Sequence, residues 1–289
     1  MRITKGIIAA AGKGTRFLPV TRAIPKEMLP VVDKPIIQYI VEEFVSAGIK
    51  DIVIVTSSDY SVIENHFGHN TELEDHLRKS GKKQALQEMR RIADMANFIY
   101  IRQRGPYGNG TPCLNAAKII GPEPFVYAFG DDLALSRSSF TKQMIEAYKK
   151  NPGIYLGAQD VQKDQVHKYG IISPKKGSKG GKGSTGEIKG VVEKPEAKNA
   201  PSNLANIGRF ILPPEIFPVL AKKRLGKGGE LWLIDAILRL INTGKKAYYK
   251  RIERGRWYTT GDPISYLEAV RAFAQARPEF KNKLKHIFK

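Results

Sequence analysis

The chain has 289 residues, 42% of them hydrophobic and 26% charged, enough apolar material for one large domain with a sizeable core. Its 48 Lys and Arg against 28 Asp and Glu give a formal net charge of +20, which raises nucleic acid as a partner; yet the cations are scattered, and the densest basic stretch, SPKKGSKGGKGSTGEIK from Ser173, has no interleaved aromatics for stacking on bases, so a dedicated nucleic-acid surface is set aside in favour of solvated surface charge. Cys113, the single cysteine, excludes an internal disulfide and a cysteine metal cluster, and with no secretory leader or run of about 20 apolar residues the expectation is a cytoplasmic protein with no membrane role.

The first predicted strand, GIIAAA at 6–11, runs directly into the loop GKGTRFLP. Gly12, Gly14 and Arg16 stand at its carboxyl end, where glycines let backbone N–H groups approach a phosphate. The loop is not a dinucleotide fingerprint, because Phe17 occupies the third glycine position, and it is not a P-loop, because Gly14 follows Lys13. By itself it reads equally as a phosphate cradle and as a plain tight turn. Next comes TRAIPKEMLPVVDKP, which has little periodicity and places Lys26 between Pro25 and Pro30. Lys26 is there either a rigidly held point charge or an ordinary solvated lysine, whereas Arg16 has the fork geometry for a terminal phosphate pair.

From Pro35, PIIQYIVEEFVSAG predicts a helix with proline in its first turn and Gly48 at its C-cap. DIVIVTS (51–57) is a second buried strand, and residues 70–96 form a charged helical insertion broken at Ser80-Gly81. Further apolar runs, FIYIRQ (98–103), FVYAFGDD (125–132) and IYLGAQDV (154–161), are each predicted as one continuous strand. A basic segment at 173–189 reads as a mobile hairpin tip or loop before EIKGVVEKP returns to strand. ELWLIDAILRLINTG and, from Pro263, ISYLEAVRAFAQAR are helices, and 276–289 is a basic tail. Alternating strands and helices predict an α/β domain over 1–275 with a mostly parallel sheet covered on both faces, whose ligands bind beyond the carboxyl ends of its strands.

AAGKGTRFLPVTRAIPKEMLPVVDKPIIQYIVEE, IENHF, VVEKPEAKNAPSNLANIGRFIL and GDPISYLEA together closely resemble, in order along almost the whole chain, the bacterial and archaeal UTP:glucose-1-phosphate uridylyltransferases among the sugar-1-phosphate nucleotidyltransferases. The resemblance implies a Rossmann-like nucleotidyltransferase fold with a mixed central sheet flanked by helices, and a homodimer or homotetramer. It implies that UTP and glucose 1-phosphate become UDP-glucose and pyrophosphate, by in-line attack of the sugar phosphate on the α-phosphorus with Mg²⁺ as cofactor. Carried over position by position, Ala10, Ala11, Gly12 and Gly14 belong to the nucleotide loop, Arg16 to the leaving pyrophosphate and Lys26 to the phosphates at the reacting centre. Gln103 matches the glutamine that reads the uracil, Gly108 and Gly110 the glycines beside the base, and Asp131 the aspartate that holds Mg²⁺. On the sugar side stand Tyr169, Gly170, Glu193, Asn206 and Gly208, with Lys194 on the sugar's phosphate. From the residues alone, the adjacent Glu193 and Lys194 read as an exposed ion pair.

The chain departs from this pattern at two places. Where the resemblance calls for a second metal aspartate, GRWYTTGDP has Thr259. Asp132 or Asp262 serves in its place, Thr259 acts through a metal-bound water, or catalysis is lost and the chain is a sugar-nucleotide-binding or regulatory protein. GGELWLIDAI also carries Trp232 and Ile234 where polar residues are expected, which loosens substrate identity. A dTTP-dependent or other sugar-1-phosphate nucleotidyltransferase is the remaining enzyme alternative, because Gln103 addresses an edge common to uracil and thymine.

Overall fold

Strand β1 (Lys5–Ala10) buries Ile7 and Ile8 completely, and the two enter different cores on opposite faces of the sheet, as expected for a strand covered on both sides. A computed structural model describes residues 2–57, 61–175 and 184–281 of the chain. After β1 come the short hairpin β2 (Pro30–Val31) and β3 (Lys34–Pro35), then α1 (Ile36–Ser46) and β4 (Asp51–Thr56). Three helices follow, α2 (Val62–Phe67), α3 (Thr71–Lys79) and α4 (Lys83–Ala93), before β5 (Asn97–Arg102), α5 (Thr111–Asn115) and α6 (Ala117–Ile120). The middle of the chain holds β6 (Phe125–Phe129), β7 (Asp132–Ser136), α7 (Phe140–Lys150), β8 (Ile154–Asp160), β9 (Gly170–Pro174), β10 (Thr185–Glu193) and β11 (Leu204–Leu212). It closes with α8 (Ile216–Ala221), α9 (Leu233–Asn242), β12 (Ala247–Arg251), β13 (Gly255–Thr259), α10 (Pro263–Ala276) and α11 (Pro278–Lys281).

Helix α1 shows how sequence makes these elements. Ile36, Ile37, Ile40, Val41 and Phe44 bury one stripe against the sheet. Gly48, at φ 91°, ends the helix: its N–H donates to the Val45 carbonyl (2.9 Å) and the Ile49 N–H to that of Phe44 (3.1 Å), the paired bonds of a Schellman cap. At the other end of the chain, the Asp262 carboxylate accepts from the N–H groups of Ile264 and Ser265 and caps α10, with Pro263 at its first position.

The main sheet has nine strands in the order β5-β4-β1-β6-β11-β8-β12-β10-β9. Strands β5, β4, β1 and β6 are mutually parallel; β11 is antiparallel to both β6 and β8, and β10 to both β12 and β9. Strand β9 also pairs with β11 through Ala205 and Ile171, so the far half of the sheet curls back on itself. The mostly parallel, mixed sheet expected from the sequence is present. Among the described residues, no helix is long and apolar enough to cross a membrane.

Two expectations need correction. FVYAFGDD is not one strand: β6 ends at Phe129, and β7 leaves the main sheet to pair antiparallel with β13, with Asp132 opposite Thr259. The break falls at Gly130, whose N–H donates to the Ala9 carbonyl at 2.9 Å; a Cβ there would lie 2.7 Å from that oxygen and 2.9 Å from Cγ of Glu27. Only glycine lets the chain turn so close to β1. The segment 173–189 is also less of a loop than expected, since its two ends belong to β9 and β10, which pair antiparallel; its centre, 176–183, lies outside the described residues.

Candidate active site

Two adjoining clefts open beyond the carboxyl ends of β1, β5, β6 and β8. The smaller, about 250 Å³, is lined by Ala11, Gly12, Lys26, Gln103 and Gly108. The larger, about 1530 Å³, is lined by Arg16, Tyr169, Gly170, Glu193, Lys194, Asn206 and Gly208. Asp131, Asn109, Phe129 and Trp232 line both. Ala11, Gly12, Lys26, Gln103 and Gly108 of the expected nucleotide residues thus line the smaller cleft and the expected sugar residues the larger, with Asp131 on the common boundary, but Arg16, expected at the leaving pyrophosphate, lies on the larger side.

That boundary is charged. Lys26 Nζ donates to Oδ2 of Asp131 at 2.5 Å. Burial disfavours the charged amine, but the carboxylates of Asp131 and Glu27 outweigh it and raise the Lys26 pKa above an ordinary lysine's. A Cβ at Gly12 would come within 3.3 Å of the Lys26 side chain, so this glycine makes room for the cation as well as baring its own backbone. Beside Lys26, Glu27 is buried, and burial pushes its carboxyl up to about 7; its Oε2 has no hydrogen-bond partner. Across the boundary, Arg16 Nη1 donates to the Gly261 carbonyl at 3.0 Å. A Cβ at Gly261 would lie 3.3 Å from Asp131 Oδ2, 3.4 Å from Arg16 Nη1 and 3.4 Å from Thr259 Oγ1, so a carboxylate, a guanidinium and a hydroxyl converge on one point.

This donor set decides how a divalent metal fits. Among the described residues no group of three or more His, Cys, Asp or Glu could hold a metal ion. Neither aspartate considered as a substitute for the missing carboxylate is free: Asp132 is buried with both oxygens engaged, by Trp257 Nε1 (2.9 Å) and Gly208 N–H (3.1 Å), and Asp262 is engaged as the α10 cap. The remaining candidates are Asp131 and the Thr259 hydroxyl. One carboxylate and one hydroxyl fit a hard cation that takes its other oxygens from phosphates and water, and do not make a self-sufficient protein site.

In the larger cleft, Glu193 ends β10 and Lys194 follows in a left-handed conformation, φ 46°, with its N–H donating to the Tyr169 carbonyl at 3.0 Å. It is this backbone kink that lets neighbouring side chains line one cleft, since consecutive residues of a regular strand point to opposite faces. A non-glycine residue in that region is strained, and such strain concentrates at functional sites. Burial raises the Glu193 pKa while Lys194 pulls it back. Gly170 leaves room for Glu193, whose Oε2 would be 3.0 Å from a Cβ there. Asn206 Oδ1 is buried without a partner. The only unpartnered buried side-chain polar atoms among the described residues, those of Glu27 and Asn206, thus belong one to each cleft.

Three expected residues do not line either cleft. Ala10 is 2% exposed within β1. Gly14 adopts φ 62° to turn the loop, and its carbonyl accepts from the Thr21 hydroxyl at 2.8 Å. Gly110 is buried, its N–H donating to the Leu231 carbonyl at 2.8 Å, and a Cβ would strike Leu220 and Leu231. Gly108 lines the smaller cleft, yet its glycine requirement also comes from Leu231: φ is 129°, and a Cβ would lie 2.5 Å from the Leu231 carbonyl oxygen. Glu27, Asn109 and Trp257 were not singled out from sequence. Glu27 alone had a legible signal there, as an acid beside Lys26 in a proline-bounded segment; Asn109 and Trp257 enter through long-range bonds, Asn109 Oδ1 accepting from Leu233 N–H at 2.8 Å.

The chain is similar to known proteins over almost its whole length. The nucleotidyl transferase family model matches residues 5–276. The chain is 41% identical over 283 residues to the UTP–glucose-1-phosphate uridylyltransferase of Bacillus subtilis (strain 168), covering 98% of this chain and 95% of that one. It is 42% identical over 288 residues to the protein of the same name from Staphylococcus epidermidis (strain ATCC 12228 / FDA PCI 1200), covering 100% and 98%. Among solved structures it resembles a UTP-bound UGPase from Acinetobacter baumannii, with TM-score 0.90, 34% identity and coverage of 99% and 98%. It also resembles a UDP-glucose pyrophosphorylase complexed with UDP-glucose, with TM-score 0.84, 38% identity and coverage of 96% and 100%.

Proposed function

The chain belongs to the nucleotidyl transferase family, and on that premise we propose that it transfers a uridylyl group from UTP to glucose 1-phosphate, releasing pyrophosphate and forming UDP-glucose. The observation that carries this reading is the pair of adjoining clefts with Asp131 on their shared wall, a plan suited to holding a nucleotide and a sugar phosphate head to head.

The attacking group is a phosphate oxygen of the acceptor, already ionised near neutral pH, so no protein nucleophile or base is required. The buried Cys113, whose thiol burial pushes far up, is no candidate for one. The chemistry left to the protein is positioning two anions that repel each other and offsetting charge on the leaving group. Gly12 and Ala11 offer backbone to the nucleotide, and Gln103 a side-chain amide to the base. Lys26 supplies positive charge where the clefts meet, Arg16 covers the leaving pyrophosphate, and Lys194 neutralises the acceptor phosphate. Asn206 and Glu193 accept hydrogen bonds from sugar hydroxyls; the unpartnered Asn206 Oδ1 supports this, because a buried acceptor is expensive to leave unpaired. Asp131 and Thr259 would hold Mg²⁺ together with the triphosphate, and the ion would neutralise phosphate charge. A cytoplasmic homo-oligomer completes the reading.

The deciding experiment is pyrophosphate release by the purified protein with Mg²⁺ across UTP, dTTP, ATP, CTP and GTP, each with glucose 1-phosphate and then galactose 1-phosphate. Turnover confined to UTP and glucose 1-phosphate is the expected result. Equal turnover with dTTP would replace it with a broader pyrimidine-nucleotide transferase. Binding of UTP or UDP-glucose without turnover would favour a binding or regulatory protein, the reading supported by Thr259 and by the absence of an acidic cluster among the described residues.

A further inference from the structure

Asp132 follows Asp131 directly but serves the opposite side of the turn. It opens β7, is 7% exposed, and its two oxygens are divided between two strands: Oδ1 accepts from Trp257 Nε1 of β13 at 2.9 Å, Oδ2 from the Gly208 N–H of β11 at 3.1 Å. Both contacts are built into the fold. The register of β11 against β8 is irregular between Ile207 and Phe210, which turns the Gly208 N–H away from a regular ladder and toward the carboxylate. A Cβ at Gly208 would stand 2.1 Å from Asp132 Oδ2, so the approach demands glycine. Trp257 in turn packs edge-on against Tyr169, ring centroids 5.3 Å apart, and its backbone N–H donates to Gln159 Oε1 at 2.8 Å. Behind this cluster, Arg209 donates to the Asp132 carbonyl (3.1 Å) and the Gly208 carbonyl (3.2 Å) and pairs with Glu43 of α1, which brings positive charge close to the buried carboxylate.

We propose that Asp132 is a positioning residue for the acceptor: by holding Trp257 and Gly208 on one carboxylate, it fixes the wall of the larger cleft, including Tyr169, against which the sugar phosphate lies. This rests on the reading of that cleft as the sugar-phosphate site. It assigns Asp132 to acceptor recognition and removes it from the metal site. The carboxylate matters because both of its neighbours are donors. An asparagine oxygen can accept from one of them, but its amide nitrogen then faces the other, donor against donor.

The test uses the full chain. Initial rates are measured with UTP, glucose 1-phosphate and Mg²⁺ varied separately for wild type, Asp132→Asn, Trp257→Phe and the double variant, alongside calorimetric binding of UTP and of UDP-glucose. Loss of one buried hydrogen bond in the wall predicts that Asp132→Asn raises KM for glucose 1-phosphate about tenfold, with KM for UTP and the half-activating Mg²⁺ concentration within about twofold. Trp257→Phe, which removes only the indole donor and keeps an aromatic ring, should reproduce part of that rise, and the double variant should fall short of the sum of the two single effects, because one of the two bonds Asp132 makes is the one Trp257 donates. A raised Mg²⁺ requirement with an unchanged KM for glucose 1-phosphate would overturn the proposal in favour of a metal ligand. A loss of thermal stability with every KM unchanged would overturn it in favour of a purely structural role. Should Asp132→Asn fail to fold, Trp257→Phe decides on the same criteria. If wild type turns over no sugar phosphate, the function reading fails by itself, and binding then decides the role of Asp132: weaker UDP-glucose with unchanged UTP supports it, and an equal loss of both overturns it.

Discussion

Lys26 Nζ lies 2.5 Å from Oδ2 of Asp131, so the cation suited to nucleotide phosphates and the carboxylate suited to their metal are paired with each other across 105 residues of chain. In the proposed reaction substrate would divide this pair, a nucleotide phosphate drawing on the lysine and a metal ion on the aspartate.

Removing either phosphate-facing cation should therefore damage catalysis more than folding. Lys26→Ala and Arg16→Ala are each expected to lower turnover on the order of 10²–10³-fold, the usual scale for deleting a preorganised group that stabilises transition-state charge. Pyrophosphate release checks the rate and circular dichroism the fold. Turnover within a few-fold of wild type would remove the residue concerned from the proposed site.

Thr259 lies opposite Asp132 in the β7–β13 ladder, and its hydroxyl converges with Asp131 and Arg16 at Gly261. Thr259→Asp places a second carboxylate beside the first. The Mg²⁺ concentration for half-maximal rate should fall by about tenfold, since charge count tunes the affinity of oxygen sites for hard cations. An unchanged or higher Mg²⁺ requirement would show that position 259 is not addressed by the metal.

Glu27 carries a pH signature. Its carboxyl is raised from 4.5 to about 7 by burial, with Lys26 opposing the rise and Asp131 adding to it. Between those values the folded protein keeps a proton that the unfolded chain has lost. Its contribution to stability is complete below pH 4.5 and disappears as pH rises through about 7, an effect of up to about 3 kcal/mol. Glu27→Gln cannot titrate. The stability difference between wild type and this variant, from urea unfolding at a series of pH values, should move against wild type as pH rises across that window; a difference independent of pH would contradict the assignment.

The ion pair of Arg209 (2% exposed) with Glu43 (8%) ties β11 to α1, and Glu43 also accepts from the Thr141 hydroxyl. Arg209→Met strands a buried carboxylate and should destabilise the protein by about 3–5 kcal/mol, whereas adding Glu43→Leu should recover much of that loss. Chemical denaturation midpoints for the two variants give the comparison. A double variant less stable than the single would mean that the pair itself, and not the stranded charge, carries the energy.

Much of this architecture was legible in the residues. The strands β1, β4, β5 and β8 follow largely apolar runs, α1 ends at the glycine its pattern indicated, and the break between α3 and α4 falls at Ser80-Gly81. Asp132 and the glycines at 108, 110 and 130 are different. Nothing local distinguishes a second aspartate that binds metal from one that bonds a tryptophan 125 residues away, or a glycine beside a base from one crossed by the backbone of Leu231.

By itself, then, the sequence determined what depends on neighbours along the chain: which segments bury a face, where helices start and stop, and which loop exposes its backbone at a strand end. Tertiary structure alone decided which charges meet. Asp131 received Lys26, Asp132 received Trp257 and Gly208, and Arg16 reached the Gly261 carbonyl 245 residues on. The physical reason is that periodicity and capping are set by interactions within a turn or two, whereas a carboxylate's role is set by whichever donors the folded sheet brings within about 3 Å of it.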